Sequence, residues 1–364
     1  VKNVGLLLLA ALAPSAFGQA EAPRDRIWKV AGGSIAATVE SEGLKEVAYR
    51  VRKGQELQRL RSDEVRSIEY ADRPPELDQA AAHLQGREYE NAVLVLRLLA
   101  TRKDARAWVP VHARFRLAEA LHAWGRTQKP RLAEAITAYQ DLLAQHPDSR
   151  FRPHALEGIA RCLLRQGNLP EAERRAADLE RLAFTDWGSP VWVARARLLG
   201  GEVSEAARRA DEALTKYAAL ERFAREKQLL EVAAEAHARQ GTCLLSKGDV
   251  DGSEKHFRRM VEGLGAGASG PAAGMAWLGL GRVLMARRSP REARLAFVQA
   301  LALGFGDDER TAEAALGAGQ ASEALAREEK DAKGRAQVYY RMVLERFPSA
   351  RVAPEARALL DKMK

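Results

Sequence analysis

Cysteine is nearly missing from this chain of 364 residues, which holds only Cys162 and Cys243. A fold assembled from disulfides is therefore excluded. Histidine occurs seven times, without an H-E-x-x-H or a C-x-x-C, so no zinc ligand set is spelled out and no metal is expected. G-x-S-x-G is absent, which removes the nucleophile elbow of serine hydrolases. Lysine is also sparse, at 14 residues beside 44 arginines. The net charge of +9 comes from that arginine excess, but the arginines are scattered among 49 acidic residues. Dispersed charge of this kind gives no stripe for a nucleic-acid backbone. Aromatic residues make up 6%, whereas Ala, Leu, Arg and Glu dominate and favour helix. The segment "GAGASG" (265–270) satisfies G-x-G-x-x-G. It follows a helical rather than a strand pattern, so it reads as a linker and not as a dinucleotide loop. No catalytic constellation and no cofactor site emerge.

The opening "VKNVGLLLLAALAPSAFGQA" has Lys2, an apolar run from Val4 to Leu12, and small residues at Gly18 and Ala20. That layout predicts a secretory signal peptide over residues 1–20, cleaved near Ala20, and the run is too short to span a membrane. The expectation is an exported, periplasmic or secreted protein without a transmembrane anchor.

Residues 25–71 alternate apolar and polar side chains through Ile27–Val30, Ser34–Val39, Val47–Val51 and Val65–Tyr70, with Gly32, Gly33, Gly43 and Gly54 at the breaks. Short alternating runs between glycine turns predict a small antiparallel sheet or barrel. "DRPPEL" (72–77) then ends the strands and opens a helical region over residues 74–364.

This second region repeats itself. Tyr139, Pro147, Arg150, Pro153 and Ala155 recur at identical spacing as Tyr340, Pro348, Arg351, Pro354 and Ala356. "ALEGIARCLLRQGNLPEA" (155–172) places Leu156, Ile159, Ala160 and Leu163 on one helix face, turns at Gly167, and starts a second helix. Similar units run through 237–260 and 277–297, while "GREYENA" (86–92) and "GGEVSEA" (200–206) supply further second-helix starts. A small residue of the second helix is expected at 92, 135, 172, 206, 253, 293 and 336, which implies about seven units. Cys162 and Cys243 each stand five residues before a turn glycine, so they occupy the same place in two units and serve as core fillers.

These units resemble the tetratricopeptide repeat, and the pattern Y-x7-P-x5-P-x-A resembles repeats in proteins of the bacterial cell envelope. The N-terminal segment resembles the small Sm-like or SH3-like barrels. The resemblance implies a mainly α fold: a right-handed solenoid of helical hairpins, preceded by a small all-β domain and closed by the capping helix "APEARALLDKMK". It also implies a concave groove, lined by the first helix of each hairpin, that takes a peptide or protein partner. On this sequence the groove positions are His154, Glu157, Arg161 and Arg165, then Glu235 and Thr242, then Met275, Arg282 and Met285. Arg161, Arg165 and Arg282 would hold an acidic segment or C-terminal carboxylate, and the methionines would add adaptable apolar contact. The expected function is a non-catalytic scaffold in the periplasm. Two alternatives are a binder of nucleic acid or an anionic envelope polymer, through the barrel and the arginines, and an accessory subunit of an envelope enzyme complex.

Overall fold

The computed structural model describes residues 24–363 apart from 53, 104–105, 265–269 and 306. The signal-like segment 1–20 and most of "GAGASG" thus lie outside the described residues.

The chain begins with five antiparallel strands, β1 (Asp25–Lys29), β2 (Ser34–Glu42), β3 (Glu46–Arg50), β4 (Gln58–Arg61) and β5 (Val65–Glu69). Their spatial order is β4-β3-β2-β1-β5. β2 pairs with β1 through Ser34–Ala37 and with β3 through Thr38–Glu42, with a register shift between Val39 and Ser41. A bulge at that point bends the strand and increases its twist. The inward side chains Ile27, Ala37, Val47, Tyr49, Val65, Ile68 and Tyr70 form one apolar core. β4 reads Gln-Arg-Leu-Arg, with only Leu60 partly covered, which is why no alternation announces it in the sequence.

Helical hairpins follow. They pair α1 (Pro75–Gln85) with α2 (Tyr89–Ala100), α3 (Trp108–Trp124) with α4 (Arg131–Gln145), α5 (Arg152–Gln166) with α6 (Leu169–Thr185), and α7 (Pro190–Ala206) with α8 (Ala210–Glu226). Next come α9 (Leu230–Ser246) with α10 (Val250–Glu262), α11 (Pro271–Ala286) with α12 (Pro290–Leu303), α13 (Asp308–Ala324) with α14 (Ala332–Arg346), and the final α15 (Ala353–Asp361). Local chemistry sets the ends. Proline occupies the first turn of α5, α7, α11 and α12, where its missing N–H has no partner to lose. Asp249 and Asp307 accept hydrogen bonds from the backbone N–H groups of Gly252 (2.8 Å) and Glu309 (2.9 Å), capping α10 and α13.

The repeat rests on contacts between small and aromatic residues. Phe257 of α10 sits between Gly241 of α9 and Gly279 of α11, where a Cβ added at either glycine would collide with its ring. Phe297 of α12 sits likewise between Gly281 and Gly317. The small residues at 92, 135, 172, 253, 293 and 336 are fully buried, as the sequence predicts. The fourth position differs: Ala206 is exposed at the end of α7, and the fully buried residue is Ala213 in α8. "GGEVSEA" therefore lies inside a first helix. With Ala213 in place, the spacings narrow to 37–43 residues.

The sheet docks on the early hairpins. Tyr70 stacks on Trp108 with ring centroids 3.9 Å apart. Glu42, at the end of β2, accepts from Arg150 Nε, from the Tyr70 hydroxyl (2.8 Å) and from His112 Nε2 (2.7 Å). Burial alone would raise the Glu42 pKa, but His112, Arg150 and Tyr70 overcome it and bring it down to about 2. Two side-chain contacts link the two ends of the array. Arg87, in the α1–α2 turn, donates to the carbonyl of Arg346 at the end of α14 (3.1 Å), and Arg126 approaches Glu309 of α13 at 4.0 Å.

Candidate partner-binding groove

The first helices of the hairpins surround a concave cavity of about 1230 Å³. Six of the residues predicted for it line it: Arg161, Arg165, Glu235, Thr242, Met275 and Arg282. Three do not. His154 opens toward the β-sheet, Glu157 is buried between helices, and Met285 packs against the core around α11 and α12. His154 and Glu157 belong to the first turns of α5, which lie under the docked sheet, so the helical register alone misplaces them.

The cavity wall carries cations and carboxylates in nearly equal number, and most are paired. Glu157 accepts from Arg161 Nε (2.9 Å) and from Arg195 (2.5 and 3.0 Å). Arg161 continues to Glu202 of α7 (3.0 Å), and Glu202 to Arg239 of α9 (2.9 Å). Arg239 also reaches Glu205 (2.8 Å) and lies 3.7 Å from Glu235, which in turn accepts from Arg310 of α13. A second run joins Arg282 to Glu313 and Glu313 to Arg351 (2.7 Å). The ladder thus crosses α5, α7, α9 and α13. Burial opposes charge on Arg161 and Arg239, yet Glu202 and their other carboxylate neighbours hold both above the usual guanidinium range. Arg282 shifts the other way: burial, and Arg239 nearby, outweigh the pull of Glu313.

The prediction that Arg161 and Arg282 wait for an acidic partner therefore needs correction, because carboxylates of this chain already hold them. Arg165 is different. It has no ion pair among the described residues, and it shares its end of the cavity with Arg126 and Lys129. Its pKa is lowered first by burial, then by Arg126 and Arg161. His122 beside it is pushed down to about 4 by burial and then by Arg165, Arg161 and Arg126. Next to the ladder, Leu198, Ala238, Phe257, Met275 and Leu278 form the apolar part of the wall.

Sequence reasoning overlooks Leu198, Glu202 and Glu205 because "GGEVSEA" (200–206) reads as the start of a second helix, whereas it closes the first helix α7. Arg239 had a signal: it stands four residues after Glu235 and three before Thr242, on the same helical face. His122, Arg126 and Lys129 come from the second hairpin, whose start carries no clear motif. No group of three or more His, Cys, Asp or Glu side chains able to hold a metal occurs among the described residues.

Tetratricopeptide repeat family models match residues 127–198 and 194–273. No curated protein matches the chain. Among solved structures, a thermophilic TPR protein of Thermus thermophilus is 18% identical, with 59% of this chain and 99% of that one covered at a TM-score of 0.41. A signal-transduction ATPase with numerous domains and a tetratricopeptide repeat sensor, from Pyrococcus horikoshii, is 12% identical over 79% of this chain and 43% of its own, with a TM-score of 0.49. A Rap protein complexed with competence and sporulation factor is 13% identical over 79% of this chain and 98% of its own, at 0.43. Over residues 127–273 the chain carries tetratricopeptide repeats, and its hairpins form a tetratricopeptide-type solenoid.

Proposed function

We propose that this protein is a non-catalytic scaffold that holds an extended segment of a partner protein in its concave cavity. Tetratricopeptide arrays are protein-interaction scaffolds, and their stacked repeats create extended concave surfaces. The observation that carries the reading is the cavity itself. Its apolar wall around Met275 and Leu278 lies in the same enclosure as Lys129 and Arg165, which have no ion pair among the described residues. A segment with apolar side chains and an acidic group or C-terminal carboxylate fits both. The ion-paired ladder keeps the rest of the wall close to neutral, which disfavours a uniformly acidic occupant such as a nucleic acid.

The signal-like leader supports placing this scaffold in the periplasm or outside the cell, with its partner in the envelope. A photo-cross-linking amino acid at Thr242, in the tagged protein expressed in its own cells, tests both parts. One dominant envelope protein joined through an extended segment is expected. Recovery of nucleic acid, or of cytoplasmic proteins alone, would overturn the reading.

A further inference from the structure

A second cavity, of about 330 Å³, lies where the β-sheet meets the array, and it shares no lining residue with the groove. This volume falls within the range of small-molecule sites, which favour junctions between domains. Its walls come from three places. The β2–β3 turn and β5 supply Lys45 and Arg66, the loop into α5 and its first turn supply Arg150 and His154, and the loop before α7 and the helix itself supply Trp187, Trp192 and Arg195. One edge is clasped shut, because Arg61 donates to the carbonyl of Gly188 (3.2 Å) and Ser189 Oγ bonds Asp63.

The charge here is unbalanced. Five cations line the cavity, Lys45, Arg61, Arg66, Arg150 and Arg195, against Asp63 alone. Asp63 holds Arg61, while Glu42 and Glu157 hold Arg150 and Arg195 from behind the wall. Lys45 and Arg66 remain without a carboxylate among the described residues, and Arg66 donates only to the carbonyl of Val30 (3.2 Å). The N-terminal turns of α5 and α7 both reach this cavity and add their positive dipole ends. Burial, then Arg195 and Arg150, push the His154 pKa down to about 3, so its ring is neutral at physiological pH.

The remaining surface sets Trp187, Trp192 and His154 beside the aliphatic side chains of Val30, Leu44, Val65, Pro153 and Val191. The Trp192 ring meets His154 edge-on at 4.6 Å and carries the Arg195 guanidinium over its face at 4.7 Å. The indole N–H of Trp187 is buried without a hydrogen-bond partner. A buried donor left unpaired is unfavourable unless something accepts from it.

We propose that this cavity binds a small aromatic anion, whose ring lies against Trp187 and Trp192 and whose carboxylate or phosphate is held by Lys45 and Arg66. It is a site distinct from the partner groove and does not depend on the groove's occupant.

The full chain would be titrated with benzoate, phenyl phosphate, the neutral benzamide and inorganic phosphate, read by ligand-observed NMR and by quenching of tryptophan fluorescence. Saturable binding of benzoate or phenyl phosphate is expected, with benzamide at least about tenfold weaker. The stronger of the two anions identifies the head group. Lys45→Ala combined with Arg66→Ala should weaken binding by about tenfold or more at unchanged Tm, because neither side chain braces the fold beyond one backbone carbonyl. Arg165→Ala, in the groove, should leave it unchanged. Three results would each overturn the proposal: no saturable binding at millimolar concentrations, benzamide binding as well as benzoate, or a double variant that binds like the parent chain. Inorganic phosphate binding as tightly as phenyl phosphate would overturn it too, since the aromatic wall would then contribute nothing.

Discussion

Glu42 and Arg150 stand 108 residues apart and pair at the junction of sheet and array, with 9% and 6% of their side chains exposed. Removing one partner of a buried pair leaves the other charge without compensation, at a cost of about 3–5 kcal/mol. Arg150→Ala should lower stability by about that amount in urea unfolding, and it should expose the sheet to limited proteolysis before the helices. An unchanged unfolding midpoint would mean that the pair does not hold the junction.

The same carboxylate gives an acid response with a definite sign. The Glu42 pKa is lowered from 4.5 to about 2 in the folded chain. Its stabilisation is therefore fully present above pH 4.5 and is lost as the pH falls through that window toward 2. Stability measured across this range should fall more steeply for the parent chain than for Glu42→Gln. Parallel curves would count against the assignment.

Gly200 and Gly201 are neighbours in α7 with opposite surroundings. A Cβ on Gly201 would overlap the Tyr217 ring, whereas one on Gly200 meets nothing within 4 Å. Gly201→Ala should destabilise the chain by about 1–3 kcal/mol through overpacking. Gly200→Ala should stabilise it by about 0.5–1 kcal/mol, because alanine loses less backbone entropy on entering a helix. Thermal denaturation of the two single variants decides the matter, and shifts of equal sign would contradict the packing described.

Arg208 holds a left-handed backbone, φ 59, in the turn between α7 and α8. Gly167 and Gly248 occupy the matching turns of the hairpins on either side, both at φ 85. Arg208→Gly should therefore raise stability by about 1 kcal/mol, because the left-handed conformation is strained for a residue with a Cβ. A lower Tm would show that the arginine side chain contributes more than its backbone costs.

Burial raises the thiol pKa of Cys162 and of Cys243 to about 12. Both are free and buried. Neither should react with iodoacetamide at about pH 8 in the native chain, and both should react once it is unfolded, since the thiolate is the nucleophile. Mass spectrometry of the alkylated protein provides the check, and rapid native labelling would contradict the packing of α5 and α9.

The fourth hairpin shows where the sequence stops being readable. Two units announce themselves through a glycine turn five residues before a small residue, Gly167 with Ala172 and Gly248 with Ser253. Between α7 and α8 the turn is built by Arg208, so the nearest glycines, which lie inside α7, take over the pattern and draw the reading seven residues away from Ala213. That slip also hides Glu202 and Glu205 from any list of groove residues. The pairing of the arginines was illegible for another reason. Arg161 meets Glu202 41 positions away and Arg310 meets Glu235 75 positions away, separations that only the superhelix brings together. The duplicated segments make the same point: Arg150 and Arg351 match in sequence, yet one secures the β-sheet and the other joins Glu313.

The meeting of Arg87 with the Arg346 carbonyl, and of Arg126 with Glu309, makes the solenoid a bracelet with its clasp fastened. A linear ligand has two ways into such an object: threading a free end, or passing sideways once the clasp parts. A partner whose recognised stretch lies mid-chain between folded domains is confined to the second route. On the scaffold reading proposed above, the capture of such a partner would await the parting of the clasp, and occupants would be sorted by how they arrive as well as by what they present.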